Sequence, residues 1–127
     1  MKQLILLFCL SVAGIFSLNA QCTWTGAVNT NWSEAGNWSC GHVPGAADDV
    51  VIAGGMITLD VPDVTVSTMN MSNGTLTGNN DLTLSGVLTW SGGTISGAGT
   101  MKVTGATTLT NGTTLDTRTL TLNGGGS

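Results

Sequence analysis

Few side chains in this sequence could do chemistry, and most of them crowd one short segment. Three of the four tryptophans, Trp24, Trp32 and Trp38, stand between Cys22 and Cys40. Exposed indole faces spaced along a surface stack on sugar rings, so the trio is the candidate carbohydrate contact. The competing role is structural: one Trp ring can bury roughly 200 Å² and plug an apolar core. His42, the only histidine, can be assembled with Glu34, Asp48 and Asp49 into an acid–base group on paper. General acid–base work needs carboxylates at a defined separation, and polysaccharide cleavage also calls for cations to meet a developing anion. Beyond residue 20 the cations are Lys102 and Arg118 alone. We therefore assign no catalytic residue here. The acids before Val50–Ile52 read as turn chemistry, and His42 as a loop residue beside the cysteines.

Metal and cofactor chemistry is equally sparse. A zinc site needs about four nitrogen or sulfur ligands, which one histidine and the available cysteines do not supply. Asn79, Asn80 and Asp81 offer hard oxygens for calcium, but the acidic repeat of calcium-binding solenoids is missing, and they read as a polar corner. No metal and no cofactor is expected. Triplets such as Asn31-Trp32-Ser33 and Asn73-Gly74-Thr75 would matter only in a glycosylating pathway.

The cysteines take their meaning from the compartment. "MKQLILLFCLSVAGIFSLNA" has a lone Lys2, an apolar run from Leu4 to Leu18 and a small Ala20 before Gln21. That is the layout of a secretory signal peptide over 1–20. With Leu18 in place of a small residue the cleavage point is less defined than the signal. The run is marginal for a span of roughly 20 residues, so an uncleaved anchor is the weaker alternative, and no membrane insertion is expected after cleavage. Removing it takes away Cys9 and leaves Cys22 and Cys40, for which a disulfide is the default in an oxidising compartment, with free thiols as the alternative. Two cations then face seven carboxylates, a net charge of −5. Without a basic patch, nucleic acid and anionic lipid are poor candidates, and no nucleic-acid partner is expected. Glycans and other surface proteins remain.

What positions these residues is a repeat. From residue 64 the chain writes itself as lines of 18 to 19 residues: 64–81, 82–100, 101–119, and a fourth begun at 120. Each opens with an apolar pair: Val64/Val66, Leu82/Leu84, Met101/Val103, Leu120/Leu122. A second apolar element follows at Met69/Met71, Leu88/Trp90 and Leu109, and a third at Leu76, Ile95 and, slipped by one, Leu115. Alternation at period two marks strands. Three short strands of three to five residues per coil, with glycines aligned at Gly74/Gly93/Gly112 and Gly86/Gly105/Gly124, predict an all-β, right-handed parallel β-solenoid. A β-sandwich would use longer strands and closer turn signals. The organisation is then signal peptide 1–20, Trp-rich N-terminal cap 21–49 and solenoid repeats 50–127. Outward positions Thr65, Thr83, Lys102 and Thr121 form a threonine ladder of the kind that binds ice, interrupted by the lysine. No polar cap follows "LNGGGS", so we expect the front end of a longer protein, or a short one that stacks on a partner or frays at its tail.

The segment Trp24-Thr25-Gly26, Asn31-Trp32, Asn37-Trp38, Val43-Pro44-Gly45 and Asp48–Ile52 resembles the opening of secreted bacterial β-helix proteins. The following repeats look like those of autotransporter passengers and large surface adhesins, particularly from Bacteroidota. The resemblance covers nearly all of the chain after the signal. It implies an exported cell-surface or extracellular protein with a structural or adhesive role, not an enzyme in this segment. The alternative is the front end of a polysaccharide-active β-helix whose catalytic coils lie beyond residue 127. A carbohydrate- or ice-binding module is a further alternative.

Overall fold

The computed structural model describes residues 20–110 and 112–123, so the expected signal peptide, apart from Ala20, and Gly124 lie outside the described residues. The chain is all-β and winds into a β-solenoid of about four turns. Its strands are β1 (Gln21–Thr23), β2 (Asp49–Thr58), β3 (Val64–Val66), β4 (Thr68–Thr77), β5 (Leu82–Leu84) and β6 (Leu88–Trp90). They continue as β7 (Gly93–Ser96), β8 (Thr100–Val103), β9 (Thr107–Leu109), β10 (Thr113–Asp116) and β11 (Thr119–Leu122). Strands β3, β5, β8 and β11 stack in parallel as one sheet. The other sheet runs β1-β2-β4-β6-β9, with β7 and β10 continuing from the second half of β4.

The registers follow the repeat. Val64 pairs with Leu82, Leu82 with Met101 and Met101 with Leu120. Val50, Met69, Leu88 and Thr107 form a second inward row, and Ile57, Leu76, Ile95 and Leu115 a third. Despite the one-residue slip in the written repeat, β10 sets Leu115 opposite Ile95. In the middle coils these residues are almost fully buried. Each contributes roughly 1.5–3 kcal/mol relative to exposure. Leu109, Leu115 and Leu122, on the outermost described coil, are 37–43% exposed.

One expectation needs correction. Strands β2 and β4 are 10 residues long rather than three to five. Their mutual pairing continues around the corner through register shifts at Ile52, Ala53 and Met56, so the backbone bends without leaving its partner. Only in later coils does the corner separate two strands, β6 from β7 and β9 from β10. The aligned glycines serve two needs. Gly93 sits at φ +88°, and a Cβ there would lie 2.6 Å from the Gly74 carbonyl oxygen. Gly105 has no positive φ, but its added Cβ would lie 2.3 Å from the Gly86 carbonyl.

Candidate functional site at the tryptophan cap

The segment before the first full coil lies over it as an additional rung. Strand β1 pairs with the start of β2, placing Cys22 beside Val50 at the head of an inward row. The backbone N–H of Trp24 extends that pairing by donating to the Val51 carbonyl at 2.9 Å. Farther on, Asn31 bridges to Thr58. Cys22 and Cys40 are joined by a disulfide, which closes the segment on itself.

Trp24, Trp32 and Trp38 all point into this closed unit and are 7%, 0% and 3% exposed. Trp38 is the centre, edge-on to Trp24 at 5.0 Å and to Trp32 at 4.7 Å between ring centroids. Its indole N–H donates to the Trp32 carbonyl at 2.9 Å. Edge-to-face pairs of this kind add about 0.5–1.5 kcal/mol beyond their buried area. Sugar stacking needs an open ring face, and the three rings are packed against one another and the core. Trp24 alone keeps an edge at the surface. It lines a groove of about 380 Å³ with Asn29, Thr30, the Gly54-Gly55 turn and Met56. Gly26 and Gly55 make room for that ring, since a Cβ on either would lie 3.0–3.2 Å from its Nε1.

Asn37, which pattern reading alone does not distinguish from Asn31, organises the cap. Its side chain is fully buried. Its Oδ1 accepts from the backbone N–H groups of Val28 and Asn29, and its Nδ2 donates to Asn29 Oδ1 and the Asn31 carbonyl. Buried polar atoms cost free energy unless paired, and these are fully paired.

The candidate acid–base residues are dispersed. His42 Nε2 meets Asp48 Oδ2 at 2.9 Å, with the histidine half exposed and the carboxylate largely buried. Burial acts to raise the Asp48 pKa, but the Gly45 N–H and the His42 hydrogen bond and charge outweigh it and hold the carboxyl below its usual range. Glu34 accepts from the Gly36 N–H at a short 3₁₀ turn, Ala35–Asn37. Asp49 accepts from the Thr68 hydroxyl across the sheet. These are turn and cross-strand duties, and among the described residues no second carboxylate is paired with His42. Cys22, Cys40 and His42 do bring possible ligand atoms within 4.8 Å of one another. With both sulfurs in the disulfide, however, they present no thiolate to a metal.

At the corner of Asn79, Asn80 and Asp81 the side chains meet backbone groups of neighbouring coils. Asn79 Oδ1 accepts from the Ala98 N–H, Asp81 Oδ1 accepts from the Thr100 N–H, and Asn80 Nδ2 donates to the Leu59 carbonyl. Nothing in its sequence context marks Arg118 as structural, yet it is 3% exposed. Its guanidinium donates to the Ser96, Asn80 and Gly78 carbonyls at 2.6–2.9 Å, tying successive corners together. Burial draws its pKa down while nearby Asp81 pushes it up; the net shift is downward. It remains a cation at any ordinary pH. Lys102 lies exposed on β8, on another face of the coil.

No helix among the described residues is long and apolar enough to cross a membrane. No family model matches the chain, and no curated protein or solved structure matches it significantly.

Proposed function

We propose that the chain is an exported structural or adhesive β-solenoid: a rigid surface or extracellular rod that presents side chains rather than transforming a substrate. The observation that carries this reading is the disulfide-closed tryptophan cap seated on stacked parallel coils. It secures one end of the rod with covalent chemistry suited to an oxidising compartment. The apolar run before Gln21 supplies the export route. The dispersal of Glu34, Asp49 and Arg118 into separate structural duties, with Lys102 exposed on another face, supports a non-catalytic role for this segment. The partners this reading calls for are surface glycans or other surface proteins, met on the outer faces of the coils.

The test expresses the full chain with its own leader in a bacterial host. Export should yield a chain beginning near Gln21, with Cys22 and Cys40 resistant to alkylation and an intact mass two hydrogens below the reduced form. Beads coated with that chain should hold on to immobilised surface polysaccharides or matrix proteins without shortening the polysaccharide. Retention in the cytoplasm with both cysteines alkylated would overturn export. Release of reducing ends or unsaturated sugars would overturn the non-catalytic role.

A further inference from the structure

One outer face of the solenoid carries a two-column grid of outward hydroxyls. It lies where the second half of β2, the second half of β4, β7 and β10 stack. Ile57, Leu76 and Ile95 point inward there and are fully buried, so by alternation their neighbours on both sides point outward. The registers place Thr75, Thr94 and Thr114 in one column, and Thr58, Thr77 and Ser96 in the other. Met56 and Asp116 stand at opposite ends of the two columns. At the cap end of the second column Asn31 is the residue in register with Thr58, and the Thr30 hydroxyl lies 3.4 Å from that of Thr58. The side chains of Thr75, Thr77, Thr94, Ser96 and Thr114 make no hydrogen bond to the described protein.

This is a different face from the Thr65, Thr83, Lys102, Thr121 ladder that the repeat brings to attention. That ladder belongs to the sheet of β3, β5, β8 and β11, where Lys102 interrupts it. The grid on β2, β4, β7 and β10 holds no charge between Thr58 and Ser96.

We infer that this face binds ice, with the hydroxyls and methyls of Thr58, Thr75, Thr77, Thr94, Ser96 and Thr114 ordering water into the crystal lattice. Stacked parallel strands repeat at about 4.8 Å, and alternate residues along a strand at about 6.6 Å, so the array is close to rectangular. A grid of near-identical small groups at two fixed repeats complements a crystal rather than one molecule. The crystal must be built from small, neutral units that both donate and accept hydrogen bonds, as hydroxyls do. Sugar rings would call for open aromatic faces, and the grid has none. A protein partner would call for Trp, Tyr or Arg anchors, which are equally missing from it. The inference does not depend on the adhesive reading, since it concerns one face and not the rod's cellular role.

The test grows ice slowly through a solution of the purified full chain and compares protein in the ice with protein in the remaining liquid. Inhibition of ice recrystallisation gives a second readout. The native chain should be enriched in the ice. Thr94→Lys, at the grid's centre and outside the core, should lower the ice-to-liquid ratio on the order of tenfold. Thr83→Lys, the same change on the other sheet, should leave the ratio within about twofold of native. Melting curves confirm that each variant is folded, and Thr77→Lys repeats the measurement in the neighbouring column. A native chain excluded from ice would overturn the inference, as would equal losses from Thr94→Lys and Thr83→Lys. Retention on insoluble chitin or cellulose without enrichment in ice would also overturn it.

Discussion

At the scale of single residues, Asn37 and Arg118 do the same work at opposite ends of the described chain. Each satisfies backbone groups that a curved, strand-poor segment would otherwise leave buried and unpaired. Asn37→Asp keeps the shape but removes the two N–H donors and sets a carboxylate against Asn29 Oδ1 and the Asn31 carbonyl. It should cost on the order of 3 kcal/mol, read as a lower urea midpoint with an unchanged slope. A native midpoint would refute the organising role. Arg118→Lys preserves the charge but cannot fork to three carbonyls on two coils. We expect a loss of roughly 2 kcal/mol, with a charge-matched surface variant, Lys102→Arg, close to neutral. Neither role was legible in the sequence. Nothing in Asn31-Trp32 and Asn37-Trp38 says which asparagine turns inward. The carbonyls that Arg118 meets lie 22, 38 and 40 residues upstream, out of reach of any local pattern.

At the scale of elements, far more was legible, because a solenoid writes its contacts at a constant offset. Val64 finds Leu82 and Leu82 finds Met101 for the same reason that those residues align in a written repeat. The disulfide was legible as the default pairing of Cys22 and Cys40 once the expected leader is set aside. The continuous corners of β2 and β4 did not follow, because hydrophobic alternation breaks at Ala53–Met56 while backbone pairing does not. The tryptophans were legible as a cluster, and only packing could show that they face one another rather than solvent. The hydroxyl grid is not marked by the repeat, because its columns flank single inward residues, Leu76 and Ile95, instead of an apolar pair. At Gly93 the repeat makes a sharp claim. Gly93→Ala must strain a positive φ and push against the Gly74 carbonyl, costing about 1–3 kcal/mol. Thermal melting should show it, and a melting point equal to native would mean that the corner can open without penalty.

At the scale of the whole molecule, stability should respond to acid in a defined direction. Burial tends to raise the Asp60 pKa, but the Ser33 hydroxyl and N–H outweigh it, so its carboxyl, like that of Asp48, is held low. Both groups therefore bind protons less readily folded than unfolded. Their contribution is complete above the unfolded value of about 4 and is lost as pH falls through the lower folded values. Melting temperature should be level from neutral pH down to about 4.5 and then fall, and Asp60→Asn should blunt the fall. A melting temperature that rises on acidification below about 4 would contradict the assignment.

The bridge between Cys22 and Cys40 also has a mechanical consequence. It spans a sequence separation of 18 within a single rung and fastens no coil to the next. Tension applied between the first and last described residues thus bypasses the enclosed loop, whose tryptophans stay packed while the coils beyond Asp49 unzip one by one. Stretched fully, the oxidised chain should measure about 60 Å less than the reduced one, a hidden length that single-molecule pulling reads directly. A rod anchored through its cap would shed its far coils under load and keep its root.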